Sequence, residues 1–275
     1  MRDYSAIISF LLSISLNFIK RLYKYRSIIV TMAVHEFRSR YLGTFVGFLW
    51  SVVNPLAMML IYWFIFSVGF RAQPAGNMPY IVYFLSGFLP WSIFNDTVLS
   101  STGSIRRYAH LITRSVFPTE VIVIVCLLSS FFTHIIMMVI FITIMLFNKI
   151  SLSIYSLNFI VFLILLSLLA VGVGWMVSAL NTYYKDVEQI VGILLNMWFW
   201  LTPIIWVPES IPAKFQQIVK INPMYHVVES YRAALIYHSM FSTRSIIYIS
   251  IVALIMFVAG GFIFRRLKPD FAEVL

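Results

Sequence analysis

Along the chain, long apolar runs alternate with short polar stretches, and six of the runs read as membrane-crossing helices: residues 45–68, 81–104, 121–147, 157–180, 190–207 and 246–264. Crossing a hydrocarbon core of roughly 30 Å takes about 20 predominantly apolar residues in a helix. An earlier apolar run, 6–19, would extend only about 21 Å and is too short to span. Its polar residues Ser9, Ser13, Asn17 and Lys20 or Arg21 recur every three or four positions, and the basic residues Lys20, Arg21, Lys24 and Arg26 follow, which is the pattern of a helix lying in the membrane interface. A cleaved leader is the competing reading, but no small-x-small cleavage site follows and the positive cluster comes after the apolar run instead of before it.

Between the fifth and sixth runs, residues 208–244 are amphipathic at helical spacing: Ile211, Phe215, Ile218 and Val219, then Tyr225, Val228, Tyr231 and Leu235. Asn222-Pro223 interrupts the pattern, so the segment predicts two half-length helices that enter the outer leaflet and return. Irregular backbone at that depth must be shielded by protein or water. The expectation is an all-α integral membrane protein forming a single transmembrane domain over 1–275. Cytoplasmic and interfacial helices occupy 1–43, six spans 45–264, a re-entrant outer gate 208–244 and a tail 265–275.

Six spans place both termini on one side of the membrane. Of the 20 Lys and Arg residues, Arg2, Lys20, Arg21, Lys24, Arg26, Arg38 and Arg40 precede the first span, and Arg106, Arg107, Arg114, Lys185, Arg265, Arg266 and Lys268 fall on the same side. Arg71, Lys149, Lys214, Lys220, Arg232 and Arg244 fall opposite. The positive-inside bias makes the richer side, with both ends, cytoplasmic.

Composition agrees with the pattern. The 275 residues are 61% hydrophobic and 11% charged, against about 25% charged in soluble domains, and the mean hydropathy is +0.92. A soluble enzyme is excluded, since such a domain would expose apolar patches of several hundred Å². The net charge of +10 is scattered among apolar spans and forms no single stripe, which argues for anionic lipid and against nucleic acid. The single cysteine, Cys126, lies in an apolar run, and no Cys/His cluster has metal-ligand spacing.

No glycine opens a G-x-x-x-x-G-K-[ST] phosphate loop, so the chain cannot hold ATP in that manner. Gly172-Val173-Gly174 lies within the fourth run with no strand ahead of it and predicts close helix packing. Asp186 and Glu188 form a D-x-E pair with no second acidic cluster, and read as a solvated turn. Asp96, beside Asn95 in the second run, is costly in hydrocarbon and must face a bundle interior or a wet path; both readings are open. His134 and Asn196 read as interhelical hydrogen-bond partners, because no adjacent carboxylate completes a proton relay.

Aromatic residues make up 17% of the chain. Tyr41, Phe45, Phe48, Pro55, Met59, Tyr62 and Phe66 fall at three- and four-residue steps on one helical face, and the fifth run adds Trp198, Phe199, Trp200 and Trp206. Lipid-facing packing with interfacial belts explains such rings. So does a conduit whose ring faces stack weakly on sugar rings. In the fifth run, Pro203 predicts a kink inside a helix that Pro208 ends, which reads as a gate or as a purely structural bend.

Several stretches, taken in order, resemble the membrane-spanning subunits of ATP-binding cassette exporters for lipid-linked cell-surface polysaccharides, a family that includes O-antigen, capsule and teichoic-acid exporters. His35 to Gly43 followed by Phe48-Leu49-Trp50 and Asn54-Pro55 resembles its E-x-x-x-R-Y, L-G, L-W and P elements. Arg114-Ser115-Val116-Phe117-Pro118-Thr119-Glu120 resembles its K/R-x-x-F-P-x-E stretch, and Tyr183-Tyr184-Lys185-Asp186-Val187 its R-D turn. Leu201-Thr202-Pro203-Ile204, Asn222-Pro223-Met224-Tyr225 with Glu229 and Arg232, and Leu267 to Ala272 complete the likeness. This chain carries a longer segment ahead of His35 than the shortest members.

The resemblance implies two copies of this subunit with two copies of a separate ATPase in a bacterial inner membrane, the ATP and Mg²⁺ belonging to the partner and no cofactor or metal to this chain. It implies an undecaprenyl-type lipid-linked polysaccharide as cargo. A helix near 34–40 would carry Arg38, Arg40 and Tyr41 at a substrate entrance. A helix over 106–117 would dock on the ATPase through Arg106, Arg107, Tyr108, His110 and Arg114. The channel would be lined by Phe45, Phe48, Tyr62, Phe66, Asp96, Trp198 and Trp200. Half-helices at 210–220 and 223–235 would form a gate with Pro203, Trp206, Asn222, Pro223, Tyr225, Glu229 and Arg232. The rival readings are an integral-membrane glycan polymerase or acyltransferase, which needs converging acidic, Arg or His residues in a large outer loop, and an exporter of a small amphiphile.

Overall fold

The computed structural model of the chain describes residues 20, 23–40, 43, 45, 47–69, 78–114 and 117–275, and of Phe48, Arg114, Glu209, Ala213 and Ala272 only the backbone. The interfacial run 6–19 and Tyr41 lie outside the described residues. Within them every regular element is helical: α1 (Arg26–Ser39), α2 (Trp50–Trp63), α3 (Tyr80–Thr102), the short α4 (Ser104–Arg107) and α5 (Ala109–Arg114), α6 (Val121–Phe147), α7 (Phe159–Tyr183), α8 (Asp186–Leu201), α9 (Ala213–Ile221), α10 (Pro223–Leu235), α11 (Thr243–Leu267) and α12 (Phe271–Val274).

Four helical stretches among the described residues are long and apolar enough to cross a membrane: Trp50–Gly69, Val121–Phe147, Ile154–Tyr183 and Thr243–Asp270. The other two sequence runs also fold as helices but differ in kind. At 23 residues α3 has the length, yet Ser86, Ser92, Asn95, Asp96, Thr97, Ser100, Ser101 and Thr102 dilute its apolarity. Ser86, Thr97, Ser101 and Thr102 are buried, because α3 is the central helix, packed against α6, α7, α8 and α10. Hydroxyls turn back on its own carbonyls, Ser86 to Tyr83 at 2.8 Å and Thr102 to Val98 at 2.8 Å.

The second exception, α8, has 16 residues, about 24 Å of helix. The expected kink at Pro203 is a stop. Thr202 is extended (φ −96°, ψ 135°), because a residue ahead of proline is pushed out of the helical region and proline itself would clash with the carbonyl four residues back. Pro55 and Pro90, by contrast, sit inside α2 and α3. The expected helix over 106–117 is likewise broken into α4 and α5 at Tyr108, whose backbone leaves the helical region (φ −99°, ψ 19°).

α7 and α11 pack backbone to backbone. A Cβ at Gly172 would lie 2.5 Å from the Met256 carbonyl, and one at Gly260 would overlap the carbonyl of Gly172. Small residues let helices approach this closely where no hydrophobic effect drives them together. α1 lies along α6, where Ile29 and Ala33 meet Val121 and Val125 and the Phe37 and Phe132 rings are 5.4 Å apart.

Candidate functional site

The motifs collect into two clusters at opposite ends of α3. At its N-terminal end the chain released by Pro203 runs as irregular backbone with buried carbonyls, each of which needs a donor. Arg232 Nη2 donates to the Ile204 carbonyl at 3.1 Å, the Tyr80 hydroxyl to Ile205 at 2.9 Å and the Tyr83 hydroxyl to Trp206 at 3.3 Å. The Arg232 side chain is fully buried. Its guanidinium lies 3.6 Å from the Tyr83 ring centroid and donates to Glu229 Oε1 at 2.7 Å. A Cβ at Gly87 would sit 3.0 Å from Arg232 Nη2, so the absent side chain there makes room for the cation.

Asn222 ties the hairpin of α9 and α10 to α8. Its Oδ1 accepts from Trp198 Nε1 at 2.8 Å and from the Met224 amide at 2.9 Å, capping α10, while its Nδ2 donates to Thr202 Oγ1 at 2.9 Å. Pro223 occupies the first helical turn, where its missing N–H costs nothing. His226 fastens the same hairpin to α11: Nε2 donates to the Lys220 carbonyl at 2.8 Å, Nδ1 accepts from Ser245 Oγ at 3.0 Å, and the ring lies 4.6 Å from that of Tyr248. Burial lowers the His226 pKa below the usual histidine range, with its bond to the Lys220 carbonyl opposing. Tyr225 sits edge-on to His226 at 5.2 Å, and Trp206 Nε1 donates to the Trp200 carbonyl at 3.0 Å.

At the other end of α3, Glu36 of α1 is 2% exposed. Its Oε2 accepts from the Tyr108 hydroxyl at 2.6 Å and its Oε1 pairs with Arg107 Nη1 at 2.9 Å. Burial first, and the Glu36 carboxylate after it, raise the Tyr108 pKa well above the tyrosine range, which keeps its hydroxyl a donor. Arg107 Nη2 also donates to the Ser100 carbonyl at 2.7 Å, and Arg106 Nη2 to Thr182 at 3.1 Å. Of the residues expected at an ATPase contact, Arg106, Arg107 and Tyr108 thus engage their own chain, His110 is exposed, and the Arg114 side chain is outside the described residues. C-terminal residues close this end. Lys268 Nζ pairs with Glu120 at 2.6 Å, the Tyr183 hydroxyl donates to the Leu267 carbonyl at 2.9 Å, and Phe271 is buried beside Phe264 at 5.4 Å.

Arg38 is exposed, and Arg40, at the end of α1, approaches Asp96 Oδ2 at 3.9 Å, both side chains being partly exposed. The aromatic stripe of α2 turns toward its own chain. Tyr62 meets Phe84 at 4.9 Å, Phe199 at 5.9 Å and Phe66 at 6.5 Å, and Trp198 meets Phe94 at 5.3 Å and Trp91 at 6.2 Å. Phe45 and Trp200 are the exposed rings of the expected channel set whose side chains are described; the Phe48 side chain is not among them. Sequence reasoning missed Glu36, Tyr80 and Tyr83 as site residues. For Glu36 a signal exists: it sits on the stripe Ile29, Ala33, Phe37 that α1 buries.

Four helical stretches long and apolar enough to cross a membrane, with polar clusters at both ends of a central helix, define the class of polytopic helical membrane proteins. The chain belongs to the ABC-2 type transporter family, whose profile matches residues 28–236. It is 31% identical over 258 residues to the O-antigen export system permease protein RfbA of Klebsiella pneumoniae, covering 90% of this chain and 95% of that one. It is 28% identical over 263 residues to the RfbA permease of Myxococcus xanthus, covering 94% and 99%. It is 26% identical over 238 residues to the polysialic acid transport protein KpsM of Escherichia coli, covering 84% and 90%.

Proposed function

We propose that this chain is the membrane-spanning subunit of an ATP-driven exporter that moves lipid-linked cell-surface polysaccharide, O-antigen in the first place, out of the cytoplasm. The observation that carries the reading is its match to named export permeases across nearly their whole length. The chain has no phosphate loop, so hydrolysis of ATP with Mg²⁺ falls to a separate ATPase, two copies of which serve two copies of this subunit.

In this reading α3 and α8 complete six spans with both termini cytoplasmic, and α9 and α10 are re-entrant. The coupling segment is α4–α5, with the exposed His110 facing the ATPase and Arg114 assigned to the same contact from the sequence. The dearth of buried surface on α2 supports a path between two copies, with Phe45, Trp200, Asp96 and the partly exposed Tyr62, Phe66 and Trp198 along it. Arg38 and Arg40, with Tyr41, meet the anionic head group of an undecaprenyl-type carrier. The Pro203–Trp206 loop with Asn222, Pro223, Tyr225, Glu229 and Arg232 forms the outer gate.

The test is deletion of the chain in its host, with surface staining for polysaccharide and extraction of lipid-linked glycan. Full-length glycan retained on its lipid inside the cell is the expected result. Short or unmodified glycan still reaching the surface would instead indicate a polymerase or acyltransferase, and an unchanged surface an exporter of a small amphiphile.

A further inference from the structure

Glu36 buries a carboxyl group, paired with Arg107 and Tyr108, where an apolar side chain would pack at less cost. Burying a carboxylate is unfavourable unless it is paired and hydrogen-bonded, and replacing such a pair by well-packed apolar residues is often neutral or stabilising. The carboxylate is therefore not explained by packing α1 on α6, which Ile29, Ala33 and Phe37 accomplish. Both of its oxygens are engaged by α4 and the residue that follows it, Arg107 at 2.9 Å and Tyr108 at 2.6 Å. Tyr108 is where the backbone between α4 and α5 leaves the helix, so its hydroxyl fixes the break itself.

One helical turn beyond Glu36, on the same face, comes Arg40. Its contact with Asp96 of α3 is the loose one, 3.9 Å and partly exposed on both sides. A tight joint at Glu36 and a weak pair one turn further along make α1 a short lever between α4–α5 and α3. Displacing Tyr108 and Arg107 draws on Glu36, and the contact that yields first is the long one at Asp96.

We propose that Glu36 is a positioning residue that yokes α1 to the α4–α5 segment, so that movement of that segment detaches Arg40 from Asp96 and presents the guanidinium to an anionic head group. This rests on the reading of α4–α5 as the coupling segment, and adds to it a specific route by which the segment acts on the substrate side.

The experiment uses the complex with its ATPase, in host membranes, and reads surface polysaccharide exported per ATP hydrolysed for Glu36→Gln, Tyr108→Phe and the double variant. Glu36→Gln should leave hydrolysis within about two-fold, each single change should lower export per ATP by about five-fold, and the double variant should be no worse than the more impaired single, as for two groups acting through one contact. Equal export per ATP in Glu36→Gln and the parent, or effects that multiply in the double variant, would overturn the proposal. If Glu36→Gln fails to accumulate, Arg107→Gln with Tyr108→Phe, which leaves the carboxylate in place, carries the same comparison. His110→Asp separates the two levels. Should it uncouple hydrolysis from export while the Glu36 and Tyr108 variants do not, the yoke fails and the coupling segment stands; should it and they all be without effect, the coupling reading fails as well.

Discussion

The fully buried guanidinium of Arg232 is surrounded by Glu229, the Ile204 carbonyl and the Tyr83 ring face. Arg232→Ala strands an acceptor and a carboxylate and should cost on the order of 3 kcal/mol, read as a lower midpoint of thermal unfolding in detergent and as loss of surface polysaccharide. Arg232→Lys keeps the charge but neither the fork nor the flat stack on Tyr83, and should recover only part of that midpoint. His226 gives the α9–α10 hairpin a dependence on acidity. Its pKa is lower folded than unfolded, so its contribution to stability is complete above about pH 6.5 and is lost as pH falls through the folded value. Amide protection in α9 and at the start of α10, corrected for the intrinsic pH dependence of exchange, should therefore be lower at pH 5 than at pH 7.5, and His226→Gln should flatten that difference.

At the scale of elements, what the sequence made legible and what it hid divide by the range of the physics. The α6 bounds coincide with the apolar run 121–147, because a long uninterrupted run has only one way to satisfy its backbone in lipid. Gly172 was readable as a packing position, since a small residue in an apolar helix means close approach. The end of α8 was misread: proline is tolerated inside α2 and α3 but stops α8, and the difference is that donors from α3 and α10 await the carbonyls of Ile204, Ile205 and Trp206. Pro203→Ala removes the local stop, so α8 should lengthen by up to a turn and amide exchange across 199–206 should slow, with export falling as those carbonyls leave Tyr80, Tyr83 and Arg232. The Glu36 contacts were beyond sequence reasoning for the same reason, joining residues 72 positions apart.

For the whole molecule, α3 is the common member of both clusters. Its N-terminal tyrosines hold the Pro203–Trp206 loop, and just past its C-terminal end Arg107 and Tyr108 hold Glu36, so one helix of 23 residues joins the two clusters. α7 and α11 form a second unit, clasped at their C-terminal ends by the bond from the Tyr183 hydroxyl to the Leu267 carbonyl.

The contact between Gly172 and Gly260 also bears on which sequences can encode this protein. What a side chain at Gly172 would strike is the backbone of Met256 and Phe257, and what one at Gly260 would strike is the backbone of Gly172. No compensating replacement on the opposite helix can make room, since a main chain cannot be trimmed. A saturation library covering both codons, selected for surface polysaccharide, should return glycine at each and no substituted pair. The seam is thus a fixed point under drift, while the exposed apolar positions around it stay free to exchange one apolar residue for another.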